Sequence, residues 1–180
     1  MGGIDKGLAE IGDRRMVEWI IDRLAPQVDR LVINANRNND TYASFGYPVV
    51  PDRFGSYEGP LAGFAAAMEH GAGAGALLTV PCDSPAPPPD LAKRLMAAMR
   101  ENDAELAVAH DGDRLQPVYA LLPVVLLDSL HGFLASGDRK IDLWYARHRV
   151  ATADFSDRRE AFLNLNRPDD LEQILKAVSA

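Results

Sequence analysis

An α/β fold with a mostly parallel sheet flanked by helices is predicted by three features of the sequence. Apolar residues at helical spacing alternate with short, nearly continuous apolar runs, the pattern of strand–helix units. Polar residues follow almost every predicted strand, as at the rim where such sheets hold ligands. No repeat, heptad pattern or linker breaks the order, so the 180 residues read as one domain, 1–180, long enough to bury a core.

Taken in order, Asp13 stands where a helix N-cap would, ahead of Met16, Val17, Trp19, Ile20 and Leu24 on one helical face. Pro26 ends that helix, and Arg30 to Asn34 reads as a short buried strand. A polar loop and short helix, 38–45, lead to a strand around Tyr47 to Val50. After a glycine-containing loop from Asp52 to Gly59, Pro60 opens a helix that carries Leu61, Phe64 and Met68. The small-residue connector 71–75 feeds a fully apolar strand, Ala76 to Val80, of the kind found inside parallel sheets. Beyond the bend at Pro85 to Pro89, Asp90 caps a helix running to about Glu101. Strands 105–110 and 115–121 are joined at Asp111-Gly112-Asp113, a hairpin turn signal. Helices over 123–135 and 141–147, a strand over 149–155 and a last helix opened by Pro168 complete the chain.

Composition removes several functions. Nineteen basic side chains against twenty-six acidic ones leave a net charge of -7, which argues against nucleic acid or an anionic membrane as partner. A phosphate ligand would need local cations, a helix N-terminus or a metal. No apolar run approaches the roughly 18 residues that span a bilayer, and Met1 to Lys6 lacks the apolar core of a signal peptide. Cys82 is the sole cysteine, so no intrachain disulfide can form, and a cytoplasmic location is expected.

The residues after each strand are the candidates for chemistry: Asn34-Ala35-Asn36-Arg37, Asp52, Pro81-Cys82-Asp83 and the region of Gln116. Asp52 and Asp83 suit Mg²⁺, which takes one or two protein carboxylates and fills its shell with waters and substrate phosphates. Both are equally suited to capping a loop, but Asp83 follows so apolar a strand that a metal is its natural partner. Lys6, set among Gly2, Gly3 and Gly7, can meet phosphates or simply be solvated. The amides of Asn34 and Asn36 both donate and accept, as a base edge requires, or they cap the next helix. Asp138-Arg139-Lys140 and Arg147-His148-Arg149 form a basic cluster, either a solvated face or a pocket for an anionic second substrate. Asn164 and Asn166 point the same way if extended, suiting a heterocycle, or form a turn before Pro168. Cys82 has no nearby histidine and reads as a small buried residue rather than a nucleophile. No zinc-ligand spacing, Gly-x-Ser-x-Gly elbow or Gly-x-Gly-x-x-Gly loop occurs.

Six segments in order carry a resemblance across nearly the whole chain: Met1 to Leu8, Asn34 to Arg37, Asp52 with Gly59-Pro60-Leu61-Ala62-Gly63, Pro81-Cys82-Asp83, Gln116-Pro117, and Asp154-Phe155 with Asn164 to Pro168. Together they resemble the molybdenum cofactor guanylyltransferases. The resemblance implies a Rossmann-like nucleotidyltransferase fold, with a GTP-binding part over roughly 1–100 and a pterin-binding part over roughly 101–180. It implies that Lys6 contacts the GTP phosphates, that Asn34 and Asp52 bind the guanosine, and that Asp83 ligates Mg²⁺. Gln116, Arg139, Lys140, Asn164 and Asn166 would receive the pterin. The implied reaction is attack by the terminal phosphate of molybdenum-molybdopterin on the α-phosphorus of GTP, releasing pyrophosphate. The nucleophile is already an anion, so no general base is required. Molybdoenzymes or cofactor-insertion proteins are the implied protein partners.

The sequence departs from the family at its start. Members begin with an apolar strand and a Leu-Ala-Gly-Gly loop ending in Arg-Met-Gly-Gly, whereas this chain begins at that methionine. Met1 is therefore expected to be internal to a longer protein, or the chain a truncation. Three rival functions remain: a sister enzyme using CTP, a sugar-1-phosphate nucleotidyltransferase, and a non-catalytic relative that carries the cofactor.

Overall fold

The computed structural model describes residues 5–53 and 59–164. Asn166, the expected Pro168 helix and the centre of the Asp52–Gly59 loop lie outside them.

A turn of 3₁₀ helix, Lys6–Leu8, leads into a small antiparallel pair, β1 (Glu10–Ile11) and β2 (Arg14–Arg15). Gly12, at φ +68°, makes the reversal that a side chain would resist, so Asp13 sits at the tip of a hairpin. Helix α1 (Met16–Leu24) therefore starts later than expected, and Asp13 is not its cap. The carboxylate of Glu18 accepts the N–H of Arg15 at 2.8 Å and closes the helix start instead. Pro26 falls in a following 3₁₀ turn, Ala25–Gln27.

Strand β3 (Ile33–Asn34) pairs in parallel with β4 (Val49–Val50) across helix α2 (Asn39–Ala43). Only two residues of each expected strand make the ladder. Helix α3 (Pro60–His70) has Pro60 in its first turn, where the missing N–H costs nothing, and buries nearly its whole length through small residues. Strand β5 (Ala76–Thr79) follows, then helix α4 (Leu91–Glu101). Asp90 precedes α4 but its side chain makes no capping bond; its Oδ2 accepts from Arg94 Nε at 2.8 Å. The α4 start is met from outside, where Gln27 Oε1 accepts the N–H of Ala92 at 3.1 Å.

Strands β6 (Leu106–His110) and β7 (Leu115–Pro123) form the expected hairpin. Asp111 Oδ1 accepts the N–H groups of Asp113 and Arg114, each at 2.8 Å, and Gly112 takes φ +94°. Helices α5 (Leu127–Ala135) and α6 (Ile141–Tyr145) precede β8 (Val150–Asp154) and a 3₁₀ segment, Ser156–Phe162.

The larger sheet has the order β5–β7–β6–β8. It is mixed, not mostly parallel as the sequence suggested: β7 runs against both neighbours, returning from the β6 hairpin, while β6 and β8 are parallel. Alternation along β6 and β7 divides the core between two faces. Ala107, Ala109, Tyr119 and Leu121 join Met16, Ile20, Leu91, Leu95 and Phe155 beneath α1 and α4. Leu106, Val108, Ala120 and Leu122 join Phe64, Met68, Phe133 and Trp144 beneath α3, α5 and α6. Covering both faces is what allows strands this apolar. A third, smaller cluster of Val17, Ile21, Ile33 and Tyr42 holds β3 and α2 to α1. Among the described residues no helix is long and apolar enough to cross a membrane.

Candidate functional site

The fold brings Lys6 and Asp83 together from 77 residues apart. Lys6 starts the first turn of described structure, and Asp83 lies just beyond the carboxyl end of β5. Lys6 Nζ stands 2.9 Å from Asp83 Oδ2, with the side chains 40% and 19% exposed. A pair this open remains accessible: an incoming phosphate can take the ammonium, and an incoming cation the carboxylate. Cys82, expected to be buried, is exposed beside them; its thiol is still pushed up, by desolvation of the sulfur first and then by the charges of Asp83 and Asp5. It stays protonated and is a poor nucleophile.

Asn34 and Asp52 meet at the carboxyl ends of the β3–β4 pair. Asn34 Nδ2 donates to Asp52 Oδ1 at 2.8 Å and to the carbonyl of Val50 at 2.9 Å. Asn36 Nδ2 donates to Asp52 Oδ2 at 2.7 Å and its Oδ1 accepts the Asp52 N–H, also at 2.7 Å. The asparagines thus present a carboxylate whose orientation is fixed from behind. Gly63 explains how α3 comes so near, because any Cβ there would run into the Asn34 amide.

These two clusters are linked through Asp5. Its carboxylate accepts from Tyr42 Oη at 2.7 Å and Asn38 Nδ2 at 3.0 Å, and pairs with Arg37 Nε at 3.4 Å. Burial first, and the bond to Asp5 next, push the Tyr42 phenol well up, so it remains an O–H donor.

A separate cavity of about 320 Å³ opens where the β6–β7 hairpin faces the segment after β8, lined by Asp111, Arg114, Gln116, Arg159 and Phe162 among others. Gln116 is buried, and its Nε2 donates to Asp111 Oδ2 at 2.6 Å. Burial alone would raise Asp111, but the N–H groups of Arg114 and Asp113 and the Gln116 amide outweigh it and hold the carboxyl below its usual range. Asn164 accepts a hydrogen bond from the fully buried hydroxyl of Ser84, the residue after Asp83, and its neighbour Leu163 lines the cavity. The segment bordering the cavity is thus tied to the residue after Asp83. It is braced by Arg94, which grips Asp157 at 2.6 and 2.8 Å and lies 4.9 Å over the Phe155 ring.

Arg139 and Lys140 stand elsewhere. Arg139 Nη1 donates to the carbonyls of Leu134 and Asp138 at 2.7 and 2.8 Å, and Lys140 is exposed before α6. The Arg139 backbone borders Gly59 at the start of α3, and neither cation lines the cavity that holds Gln116. Asn166 lies outside the described residues. Sequence reading missed Asp5, Tyr42, Ser84, Arg114 and Arg159. Adjacency to Lys6, Asp83 and the hairpin turn was the available signal for Asp5, Ser84 and Arg114; Tyr42 and Arg159 had none.

A mixed α/β sheet with an anion-and-cation pair at one strand end and a clamped carboxylate at another is the frame of a nucleotide-handling enzyme. The chain belongs to the family of MobA-like NTP transferase domains, whose model matches residues 1–152. A molybdenum cofactor guanylyltransferase of Shewanella loihica is 50% identical over 179 residues, covering 99% of this chain and 91% of that protein. The enzyme of the same name from Shewanella sp. strain MR-4 is also 50% identical, with 99% and 90% covered. Among solved structures, the molybdopterin-guanine dinucleotide biosynthesis protein A of Archaeoglobus fulgidus superposes with a TM-score of 0.78 at 21% identity, covering 98% of this chain and 92% of that one. A CMP:2-keto-3-deoxy-manno-octonic acid synthetase complexed with CTP shares the fold at a TM-score of 0.69 and 14% identity, covering 97% and 91%.

Proposed function

We propose that this enzyme transfers GMP from GTP to the molybdenum–molybdopterin cofactor, with release of pyrophosphate. The observation that carries the reading is the open Lys6–Asp83 pair, joined through Asp5 to the loop that clamps Asp52. Relatives half identical over 99% of the chain bear the corresponding name. The Lys6–Asp83 pair and the clamped Asp52, linked through Asp5, favour catalysis over a non-catalytic cofactor carrier.

Asp52 supports guanine as the base. Guanine offers a ring N–H and an adjacent amino group, two donors that one carboxylate can accept together. Adenine and cytosine each place an acceptor beside their amino group, which would face the carboxylate unpaired. Asn34 and Asn36 hold that carboxylate in place. The CTP-bound synthetase shares only the fold, so base choice rests on this loop.

Asp83 fits Mg²⁺. It is a half-buried carboxylate at the strand end, and Mg²⁺ needs only one or two such ligands when a triphosphate and water complete its shell. The described residues contain no group of three or more metal-ligating side chains, which accords with a cation shared with substrate rather than caged by protein. The bound ion would neutralise charge developing on the phosphates. Asp83 would hold the cation, and Lys6 would keep its ammonium on the triphosphate. An oxygen of the cofactor's terminal phosphate forms the new bond to the α-phosphorus of GTP, and the α–β bridging oxygen leaves with its electron pair on pyrophosphate. The chain's contribution is alignment and charge neutralisation.

The cavity around Gln116 is the proposed pterin site. The Gln116 amide oxygen accepts a pterin N–H, Asn164 ties the neighbouring segment to Ser84, and Arg114 and Arg159 supply positive charge for an anionic cofactor. Arg139 and Lys140, expected from the sequence to contact the cofactor, do not line this cavity and are not assigned to it. The test is incubation with GTP labelled at the α-phosphate, Mg²⁺ and molybdenum–molybdopterin. Label should enter the cofactor with an equal yield of pyrophosphate, and both should vanish in Lys6→Ala and Asp83→Asn. Undiminished transfer by both variants would reject the site.

A further inference from the structure

We propose that Tyr42 and Asp5 are positioning residues that couple the base-reading loop to the phosphate-facing Lys6. The inference rests on the reading of Lys6 given above. Asp5 immediately precedes Lys6, and its side chain, only 14% exposed, collects three donors from a single stretch of chain. Arg37 and Asn38 belong to the loop that begins with Asn34 and Asn36, the holders of Asp52, and Tyr42 lies in α2 one turn further on. Asn38 takes the left-handed conformation, φ 54°, which asparagine tolerates better than most residues, and from there its amide reaches Asp5. One carboxylate therefore reports the state of the base loop to the backbone that carries the lysine.

Tyr42 gives this link its rigidity. The ring is 4% exposed and packed with Val17, Ile21 and Ile33, so the hydroxyl cannot swing away from Asp5. On the other side it lies against Gly7, where a Cβ would fall 2.5 Å from the Tyr42 oxygen. Asp5, Lys6 and Gly7 are thus held against one stiff phenol. Lysine is otherwise a flexible point charge on a four-carbon stem. With its backbone fixed, the ammonium keeps to the small region in which it meets Asp83 at 2.9 Å.

The alternative is that Tyr42 merely holds α2 on the core. Tyr42→Phe separates the two because it keeps the ring and removes only the hydroxyl. Positioning predicts a fall in kcat of about tenfold with KM for GTP within about twofold, since a displaced lysine still attracts the bound triphosphate but misses the transition state. The melting temperature should drop by no more than about 4 °C, the scale of one lost hydrogen bond. Asp5→Ala should match Tyr42→Phe in kcat, the double variant should be no worse than either, and Asp5→Asn, which keeps an acceptor for the phenol, should recover part of the rate. Gly7→Ala should mimic Tyr42→Phe by pushing the ring off Asp5. Lys6→Ala, run in parallel, separates the possible failures. If it abolishes turnover while Tyr42→Phe retains full kcat, or loses it only through melting, the coupling is overturned and the site reading stands. If Lys6→Ala turns over normally, both fall.

Discussion

The region from Asp5 to Arg53 and the region from Ala76 to Asp154 are built by different means. In the later region a four-stranded sheet alternates its side chains between two apolar layers, and Trp144, Phe133, Leu106 and Leu122 are fully buried. In the earlier region the ladders are two residues long, and the loops are held by polar side chains: Asn34 and Asn36 on Asp52, then Tyr42, Asn38 and Arg37 on Asp5. Apolar packing makes one region stiff without regard to direction, whereas hydrogen bonds make the other specific in orientation. Stability and chemistry should therefore respond to different substitutions.

The largest effect that sharpens this contrast is expected from Trp144→Ala. The side chain is fully buried between α5, α6 and the sheet, so its loss should cost about 3–5 kcal/mol and lower the melting temperature by about 10 °C. The KM for GTP of the protein that stays folded should be unchanged. Asp83→Asn reverses the pattern: melting within about 2 °C of the parent, but turnover down at least about a hundredfold, or roughly 3 kcal/mol in the barrier. Asp83 and Trp144 both lie in the later region, one at its rim and one in its core; if Asp83→Asn unfolds the protein, or Trp144→Ala alters GTP recognition, apolar packing and site chemistry are not separable in this way.

Smaller effects follow. Asn36→Ala frees one oxygen of Asp52 from its holder, and the preference for GTP over ATP should fall about tenfold, measured as the ratio of kcat/KM values. An unaltered ratio would show that the clamp does not select the base. The smallest effect lies in acid. Asp111 has a folded pKa below its unfolded value, so its contribution to stability is complete above the ordinary aspartate range near about 3.9 and is lost as pH falls through the depressed value. Asp111→Asn should lower the melting temperature at pH 7 while narrowing the gap to the parent steadily below about pH 4, as followed by circular dichroism. A gap that widens in acid would mean that Asp111 is not held as a buried anion.

The same contrast explains what the sequence made legible. The 105–121 hairpin could be read because Asp111 and Gly112 act within a few residues of themselves, and α3 because Pro60 marks its first turn. Asp13 misled because Gly12 turned the chain into a hairpin before the helix could start, leaving Glu18 to cap it. The mixed sense of the sheet followed from the hairpin but was obscured by the strand–helix alternation around it. In the candidate site, Asp83, Asn34 and Asp52 stood out by type and by position after strands, and Lys6 by the glycines around it. Their partners Tyr42 and Asp5 did not, because a bond across 37 residues exists only once α2 has folded back on the start of the chain. The Arg94–Asp157 brace, across 63 residues, was hidden for the same reason.

The central claim is guanylyl transfer at a carboxylate-read base site. It is tested most directly by supplying molybdenum–molybdopterin and Mg²⁺ with GTP, CTP or ATP at equal concentration and measuring pyrophosphate release. The account predicts rapid release with GTP alone and, for each of the other two, a kcat/KM lower by at least about tenfold, the scale of one or more unpaired buried polar groups. Equal release with CTP, or release with GTP that does not depend on the cofactor, would contradict it.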